Sequence, residues 1–470
     1  MALERRVIVP LIVACALFMQ NLDQTALATA LPAIAADLHE TPLRLHLTIT
    51  SFMLSLAAFL PLSGWVADKF GARTVFRAAI AIFTLASIAC GLTSNFEMLL
   101  LARVVQGAGG ALMVPVGRLI LLRSVAKSEL IAAMALMGMP ALVGPIIGPL
   151  LAGILIAVAD WRWIFWINVP IGILGMVLVT VFIEDVRESD VKRFDARGFV
   201  LSSLGLCGTL FGLDMLSTHH SADPIAITAL IVGAISLVLY LLHARKVDNP
   251  ILDLALMKLA TFRVSVTGGS LFRVGVGAVP FLLPLMMQQG FGYTPFESGL
   301  ITFVSAAGSF GMRTLANRVL RRFGFRKVLL WNALISGFFM ALCGTFTQDS
   351  ARSVMMVIIF LGGLFRSLQF TALNAVAFAE VEHSDMSQAT SFSQMAQRLS
   401  LSCGVAFSAF ILFYAGGGDG LNTPVHAFAT AFVVVGVISS LSFLSFINLS
   451  ENAGAEMAGR QPVRSRRFER

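Results

Sequence analysis

Residues 64–73 of the 470-residue chain read Gly-Trp-Val-Ala-Asp-Lys-Phe-Gly-Ala-Arg. The stretch follows one apolar segment, 46–67, and precedes another, 75–94. Asp68 lies at a helix end beside basic residues, where its carboxylate can tie two helices together, and Gly71 permits a tight turn. We therefore predict that this loop holds helices together at one end of the molecule and opens when they move. The predicted gating residues are Gly64, Asp68, Lys69, Gly71 and Arg73.

The amino-acid composition indicates whether water or lipid surrounds the protein. Hydrophobic residues make up 57% of the chain and charged residues 13%, whereas a soluble domain has about 25% charged residues. So few charges do not cover a water-facing surface, and lipid is therefore the predicted surroundings. All five cysteines lie in apolar segments without a CxxC or Cys/His cluster, so we expect neither a disulfide framework, nor a metal site, nor a cofactor.

Apolar segments of membrane-spanning length recur along the whole chain. A span needs about 20 apolar residues, and about fourteen segments meet that length, with a charged linker on each side of the seventh and eighth. The predicted fold is thus all-α and integral to the membrane. The segments are 7–30, 46–67, 75–94, 98–121, 130–157, 163–183, 198–216, 225–243, 264–287, 297–316, 328–347, 354–378, 393–414 and 425–447.

The order of the segments indicates two pseudo-symmetric six-helix bundles with an inserted helix pair. A weaker copy of the 64–73 pattern, residues 311–327, follows the second segment of the later bundle. Many transporters consist of repeated halves with the substrate site between them. The predicted division is an N-terminal bundle (1–183), linkers with the inserted pair (184–263), a C-terminal bundle (264–450) and a disordered basic tail (451–470).

The positions of the basic residues predict the orientation. Lysine and arginine lie almost entirely in alternate loops, and only Arg44, Arg162 and Arg352 fall in the loops of the other side. Cytoplasmic loops carry such an excess, so both termini are predicted to be cytoplasmic. The net charge of +8 therefore reflects membrane topology and not nucleic-acid binding. The basic tail is expected to touch anionic lipid, and the protein to act as a monomer in a bacterial-type inner membrane.

Two charged residues in the first bundle are predicted to meet. At about 1.5 Å per residue across a core of about 30 Å, Asp23 comes about 6 Å below the outer edge and Arg103 about 8 Å below it. A buried arginine costs about 2.5–3.5 kcal/mol or more, and pairing with an acid offsets much of that. We therefore expect both charges in one polar cluster, either as a static ion pair or as a functional one.

The fifth segment carries a repeat of small residues and prolines. Small residues recur every four positions between 140 and 152, which lets another helix pack closely, and the prolines are expected to bend the helix. The residues concerned are Pro140, Gly144, Pro145, Gly148 and Pro149.

Five stretches, 64–73, 103–110, 138–153, 161–172 and 194–198, together resemble the signature motifs of the major facilitator superfamily. The last two, with Asp23-Gln24-Thr25, are similar to those of the fourteen-span drug:proton antiporter branch. The resemblance implies alternating access, proton-coupled export, and a role for Arg103 in proton coupling beside Asp23. Pro149 stands where the family's antiporter motif has a second glycine, which weakens the inference of antiport slightly.

The deep charges of the second bundle suggest an anionic substrate. Arg273 and Arg366 lie well inside their segments, and Asp23 is the one deep acid that the sequence offers against them. A net positive cavity suits an organic anion or zwitterion, although either arginine could instead bind backbone carbonyls. The predicted substrate cavity contains Gln20, Gln24, Gln106, Arg273, Arg366, Gln369 and Asn374.

The preferred function is proton-coupled export of small molecules by alternating access. A symporter for an organic anion has the same fold, and a membrane sensor that does not transport is a further alternative. An enzyme is not expected, because the chain has no HExxH, GxSxG or phosphate-binding loop.

Overall fold

The computed structural model describes residues 2–184, 193–219, 223–416 and 424–459, and this part of the chain is folded into α-helices joined by short turns. Its helices are α1 (Ala2–Leu38), α2 (Pro42–Phe59), α3 (Ser63–Phe70), α4 (Ala72–Gly91), α5 (Phe96–Ser124), α6 (Leu130–Val158), α7 (Trp163–Trp166), α8 (Asn168–Phe182), α9 (Ala196–His219), α10 (Pro224–Ala244), α11 (Ala260–Leu285), α12 (Pro295–Phe323), α13 (Phe325–Leu342), α14 (Arg352–Val376), α15 (Met386–Ala415), α16 (Val425–Leu441) and α17 (Phe443–Phe446).

Twelve helical segments of the described residues are long and apolar enough to cross a membrane. The helical class and the multi-pass membrane character are therefore confirmed. Two further long helices, α6 and α12, lie at the two remaining predicted positions. They are not among the twelve, so the count of about fourteen stays a prediction.

The helices before and after the inserted pair pack in the same order. In the first set α1 packs against α6, α4 against α5, and α2 against α5. In the second set the equivalent pairs are α11 with α15, α13 with α14, and α12 with α14. This repeated packing is the pseudo-symmetry that the sequence predicts.

The two related loops contain the same backbone turn. Gly71, between α3 and α4, has a φ of 87°, and Gly324, between α12 and α13, has a φ of 79°. A side chain at either position would be strained, since only glycine adopts positive φ freely. The predicted role of Gly71 in a tight turn is thus confirmed, and its counterpart in the second half is Gly324.

The inserted pair, α9 and α10, packs through glycines. A Cβ at Gly208 would lie 2.8 Å from the carbonyl oxygen of Ala229, so the two backbones approach closely. The pair is anchored to α2, because Ser203 Oγ donates to the carbonyl oxygen of Ala58 at 2.6 Å. Helix α9 also contacts α15, so the inserted pair bridges the first and second sets of helices.

Helix α6 lies along α1 where its small residues recur. A Cβ at Gly144 would lie 3.0 Å from the Cβ of Asn21, and one at Gly148 would overlap the side chain of Thr25. The expected close approach of another helix is therefore present, with α1 as the partner. The α6 backbone stays helical through its prolines, whereas the side chains of Pro140, Pro145 and Pro149 lie outside the described residues.

The first part of the predicted disordered tail is ordered. Residues 451–459 form consecutive turns in which Met457 is buried, and Gly454 lies against the ring of Phe325. The apolar residues of this short segment cover the end of α13, which explains its order. Residues 460–470, with all of the basic side chains of the tail, lie outside the described part.

Candidate functional site

Asp23 on α1 and Arg103 on α5 form a buried ion pair. Arg103 Nη1 donates to Asp23 Oδ2 at 2.5 Å, and both side chains are 0% exposed. The depth estimate thus places the two charges together correctly. Among the residues that the structure describes, Asp23 is the one Asp or Glu that is buried over the whole residue, at 1% exposure.

Two neutral side chains, Gln106 and Asn168, bind the pair, and Ser87 binds Gln106. Gln106 Nε2 donates to Asp23 Oδ1 at 2.9 Å and to Ser87 Oγ at 2.8 Å. Asn168 Nδ2 donates to the same Asp23 oxygen at 3.2 Å. The carboxylate therefore accepts hydrogen bonds at both oxygens. Gln106, predicted to line the substrate cavity, is sealed inside this network.

Arg103 is held on three further sides. Its Nε donates to the carbonyl oxygen of Thr48 at 3.3 Å, and its Nη1 donates to Gln106 Oε1 at 2.5 Å. The guanidinium carbon lies 4.4 Å from the ring centroid of Phe52, a favourable cation–π distance. The arginine thus has the partner that its burial requires, and α1, α2 and α5 are joined at one point.

Ser87 and Asn168 are site residues that the sequence reasoning missed. Asn168 is part of the aromatic stretch 161–172, and a polar residue among apolar ones is the signal that could have identified it. Ser87 is a small hydroxyl residue in an apolar helix, a type too common in membrane helices to stand out.

Two glutamines on the same helix differ from Asp23. Both amide atoms of Gln20 are buried and make no hydrogen bond, and Gln24 Nε2 is also buried without a partner. The Gln20 amide lies beside Gly110 of α5. A buried polar group without a partner costs about 1–3 kcal/mol, so these amides are candidate contacts for a bound molecule.

Arg273 on α11 is 1% exposed and has neutral partners. Its Nη2 donates to Asn374 Oδ1 at 3.3 Å, and its Nη1 donates to the carbonyl oxygen of Ser265 at 3.4 Å. The guanidinium carbon lies 5.7 Å from the ring centroid of Phe370. The predicted cavity residues Arg273 and Asn374 are thus in contact, and Arg273 Nε has no partner.

Arg366 lies apart from that contact. Its Nη2 donates to Ser305 Oγ at 2.5 Å. Gln369 is instead fixed to α13, since its oxygen accepts from Asn332 Nδ2 at 2.9 Å and its nitrogen donates to the carbonyl oxygen of Leu329 at 3.2 Å. The seven predicted cavity residues therefore divide among several separate contacts.

Several half-buried or buried arginines have no acidic partner. Within the described ranges no carboxylate lies within ion-pair distance of them, in contrast to Arg103. They are Arg118, Arg273, Arg313, Arg366 and Arg398. No acidic side chain of the described residues therefore balances the positive charges of these five arginines.

The predicted gating loop joins the two halves. Asp68 accepts from Arg123 Nη2 at 3.3 Å and also accepts a short hydrogen bond from Ser387 Oγ of α15. Ser63 Oγ and Ser391 Oγ lie 2.8 Å apart. The carboxylate thus ties the first half to the second, as well as two helices within the first half.

Of the other loop residues, Gly64 lies at the contact between the halves, whereas Lys69 and Arg73 contact residues of the first half. A Cβ at Gly64 would lie 2.9 Å from the carbonyl oxygen of Ser387, so α3 and α15 are in close contact. Lys69 Nζ lies 4.5 Å from the ring centroid of Trp65, and Arg73 Nη2 donates to the carbonyl oxygen of Thr180.

Comparisons with known proteins agree with this architecture. A family model described as Major Facilitator Superfamily matches residues 13–260 and 265–465. The chain is 40% identical over 402 residues to a protein of Escherichia coli O17:K52:H18 named as multidrug resistance protein MdtD, and the match covers 85% of each chain.

Two solved structures share the fold. The human organic anion transporter MFSD10 has a TM-score of 0.67 at 15% identity and covers 94% of this chain and 99% of its own. The proton:xylose symporter XylE also has a TM-score of 0.67, at 12% identity, covering 98% and 99%.

Proposed function

Because the chain belongs to the major facilitator superfamily, we propose that it exports small molecules in exchange for protons by alternating access. It is a multi-pass membrane transporter, and its relative named for multidrug resistance supports export. The observation that carries the proton coupling is the buried Asp23 carboxylate, paired with Arg103 at 2.5 Å. In this proposal the protein acts as a monomer in a bacterial cytoplasmic membrane with both termini inside.

Asp23 is the proposed proton carrier. Its oxygens accept hydrogen bonds from Arg103, Gln106 and Asn168, so a proton has to compete with these donors. Protonation removes the charge that holds Arg103 Nη1, which loosens the contact between α1 and α5. Loss of the proton on the other side of the membrane restores the pair. Proton binding is thereby coupled to helix movement.

Movement of the two halves is the second part of the proposal. Residues 1–183 and 264–450 act as two bundles that rock about a site between them. Opening at the gating loop requires the contacts of Asp68 with Ser387 and of Ser63 with Ser391 to break. The bond between the two serines contributes about 0.5–1.5 kcal/mol net, and the bond to the charged Asp68 contributes about 1.5–3 kcal/mol, so the closure is reversible.

An organic anion or zwitterion is the proposed substrate. Arg273 and Arg366 have neutral hydrogen-bond partners and no carboxylate at ion-pair distance in the described residues. A guanidinium offers forked donors that match a carboxylate, and the unpartnered amides of Gln20 and Gln24 add neutral contacts. Asp23 is already bound to Arg103, which leaves no buried carboxylate in the described part to attract a lipophilic cation.

A pH gradient across liposomes that contain the purified protein tests the function. An antiporter moves a solute toward the acidic side, a symporter moves it away from that side, and a sensor moves nothing. We expect labelled salicylate, an aromatic carboxylate, to accumulate on the acidic side, and the lipophilic cation tetraphenylphosphonium not to compete. Because salicylate is a weak acid that crosses bilayers in its neutral form and collects on the alkaline side, protein-free liposomes are the control, and only accumulation on the alkaline side above that level would establish symport instead.

The role of Asp23 is tested in the same liposomes. Asp23→Asn is expected to abolish gradient-driven transport and to retain exchange of labelled for unlabelled solute, which needs no proton. The double variant Asp23→Asn with Arg103→Gln has no unpaired charge. If that variant regains gradient-driven transport, the pair is only structural and Asp23 does not carry the proton.

A further inference from the structure

Arg398, on α15, is a half-buried cation without a partner. In the described part of the chain it makes no hydrogen bond and no ion pair, although it lies in a helix long and apolar enough to span a membrane. An arginine at such a position costs about 2.5–3.5 kcal/mol or more unless it faces water or a partner. The sequence reasoning did not identify this residue.

Arg398 faces a cavity of about 120 Å³ between α2, the inserted helix α9, and α15. The polar residues of its lining are His46, Thr50, Asp214, Arg398 and Ser402. His46 is within 3.4 Å of Thr50, and Asp214 has an interaction of its own. A complete ligand pocket measures about 300–1,000 Å³, so this cavity has room for a head group and not for a whole ligand.

A groove of about 550 Å³ adjoins the cavity. It runs between α9 and α10, and its lining is almost entirely apolar, including Leu204, Ile225 and Val232. Leu54 and Phe211 line both the cavity and the groove. Ile225 is 61% exposed on a helix of high hydropathy, so the groove opens toward the acyl chains of the membrane.

We propose that this cavity and groove bind a single-chain amphipathic carboxylate, with its head group on Arg398 and its chain in the groove. The small cavity accommodates a carboxylate, whose geometry matches the guanidinium fork. Asp214 also lines the cavity but has an interaction of its own, so Arg398 is left to bind the negative charge of the ligand. The apolar groove receives the chain directly from the bilayer. None of the residues proposed above for proton or substrate binding lines the site, so the inference does not depend on proposed export.

Binding of tritiated palmitate to the full-length protein in lipid nanodiscs tests the proposal. We expect saturable binding that unlabelled palmitate displaces. Hexadecanol, which has the chain without the charge, and hexanoate, which has the charge with a short chain, are each expected to compete at least tenfold more weakly. Equal competition by hexadecanol would mean simple partition into an apolar surface, and equal competition by hexanoate would mean that the groove is not used; either result overturns the proposal.

Three variants refine the assignment. Arg398→Gln removes the charge and is expected to weaken palmitate binding at least tenfold. Thr228→Trp fills the exposed side of the groove and is expected to weaken it as well. Arg263→Gln is the matched control, since Arg263 is exposed and lines neither space, and it is expected to bind as wild type does.

Thermal melting of each variant shows whether it is folded. Folded Arg398→Gln with the wild-type dissociation constant for palmitate would refute the assignment of the head group. If Arg398→Gln does not fold, the Thr228→Trp variant and the three-ligand comparison on the wild-type protein decide the question.

Discussion

The two halves of the protein treat buried charge in opposite ways. In the first half Arg103 meets Asp23 at 2.5 Å, and Gln106 and Asn168 bind the same carboxylate. In the second half Arg273 is equally buried, but its partners are an amide oxygen and a backbone carbonyl. In the ion pair the two charges neutralise each other, so the pair needs no ligand and stabilises the contact between its helices. An arginine without an acidic partner can still bind a negatively charged ligand. This difference suggests that the first half couples transport to protons and that the second half binds the substrate.

The largest expected difference between the halves is the loss of stability when one buried arginine is removed. Arg103→Gln leaves Asp23 buried without its counter-charge, and breaking a buried pair costs about 3–5 kcal/mol. Arg273→Gln leaves no such charge behind and is expected to change stability by much less. Thermal and urea unfolding in detergent measures both variants. Equal losses of stability would contradict the distinction between the halves.

A change at the α1–α6 contact tests whether the position of α1 matters to the pair. Gly148→Ala overlaps the side chain of Thr25, two residues from Asp23, and overpacking costs about 1–3 kcal/mol. The control is Gly153→Ala on the same helix, where nothing lies within 4 Å of the new methyl group. We expect unfolding measurements to show a loss only for Gly148→Ala, together with weaker gradient-driven transport. If both variants had the same stability and transport, the close packing of α6 on α1 would not matter to the ion pair.

Substrate affinity tests the second half, where the buried arginines have no acidic partner. Arg273→Lys keeps the positive charge but removes the fork that matches a carboxylate, so we expect the KM for salicylate to rise about tenfold, or about 1.4 kcal/mol. Proton coupling, measured by the pH gradient needed for transport, should not change. A wild-type KM in Arg273→Lys and in the matching Arg366→Lys would exclude both arginines from the binding site.

The smallest expected effect is at the contact between the halves. Ser391→Ala removes the hydrogen bond with Ser63, which is worth about 0.5–1.5 kcal/mol, and shifts the protein toward opening at that end. Labelling of a cysteine placed at Ala67, a buried residue of the same helix as Ser63, by a water-soluble maleimide reports that opening and should become a few-fold faster. The background for this assay is the variant without its five native cysteines. An unchanged labelling rate would mean that this bond does not hold the halves together.

Much of the fold was predictable because the membrane imposes a length on every span. The apolar segments, the glycine turn at Gly71 and the small-residue repeat of α6 all follow from local rules about hydropathy, backbone freedom and helix packing. The meeting of Asp23 and Arg103 was predictable too, since a helix rises by a constant 1.5 Å per residue and depth can be counted. The order of residues 451–459 was not, because it depends on an apolar surface that other helices provide.

The sequence by itself therefore determined that this is a helical membrane transporter of repeated halves, and at what depth its charges lie. The tertiary structure decided which charges have partners. Asn168 reaches Asp23, Ser387 reaches Asp68, and Arg398 lines a cavity without forming an ion pair. Each of these depends on the rotation of a helix about its axis and on which neighbour it meets. Rotation is set by packing between distant segments, and depth along one chain carries no information about it.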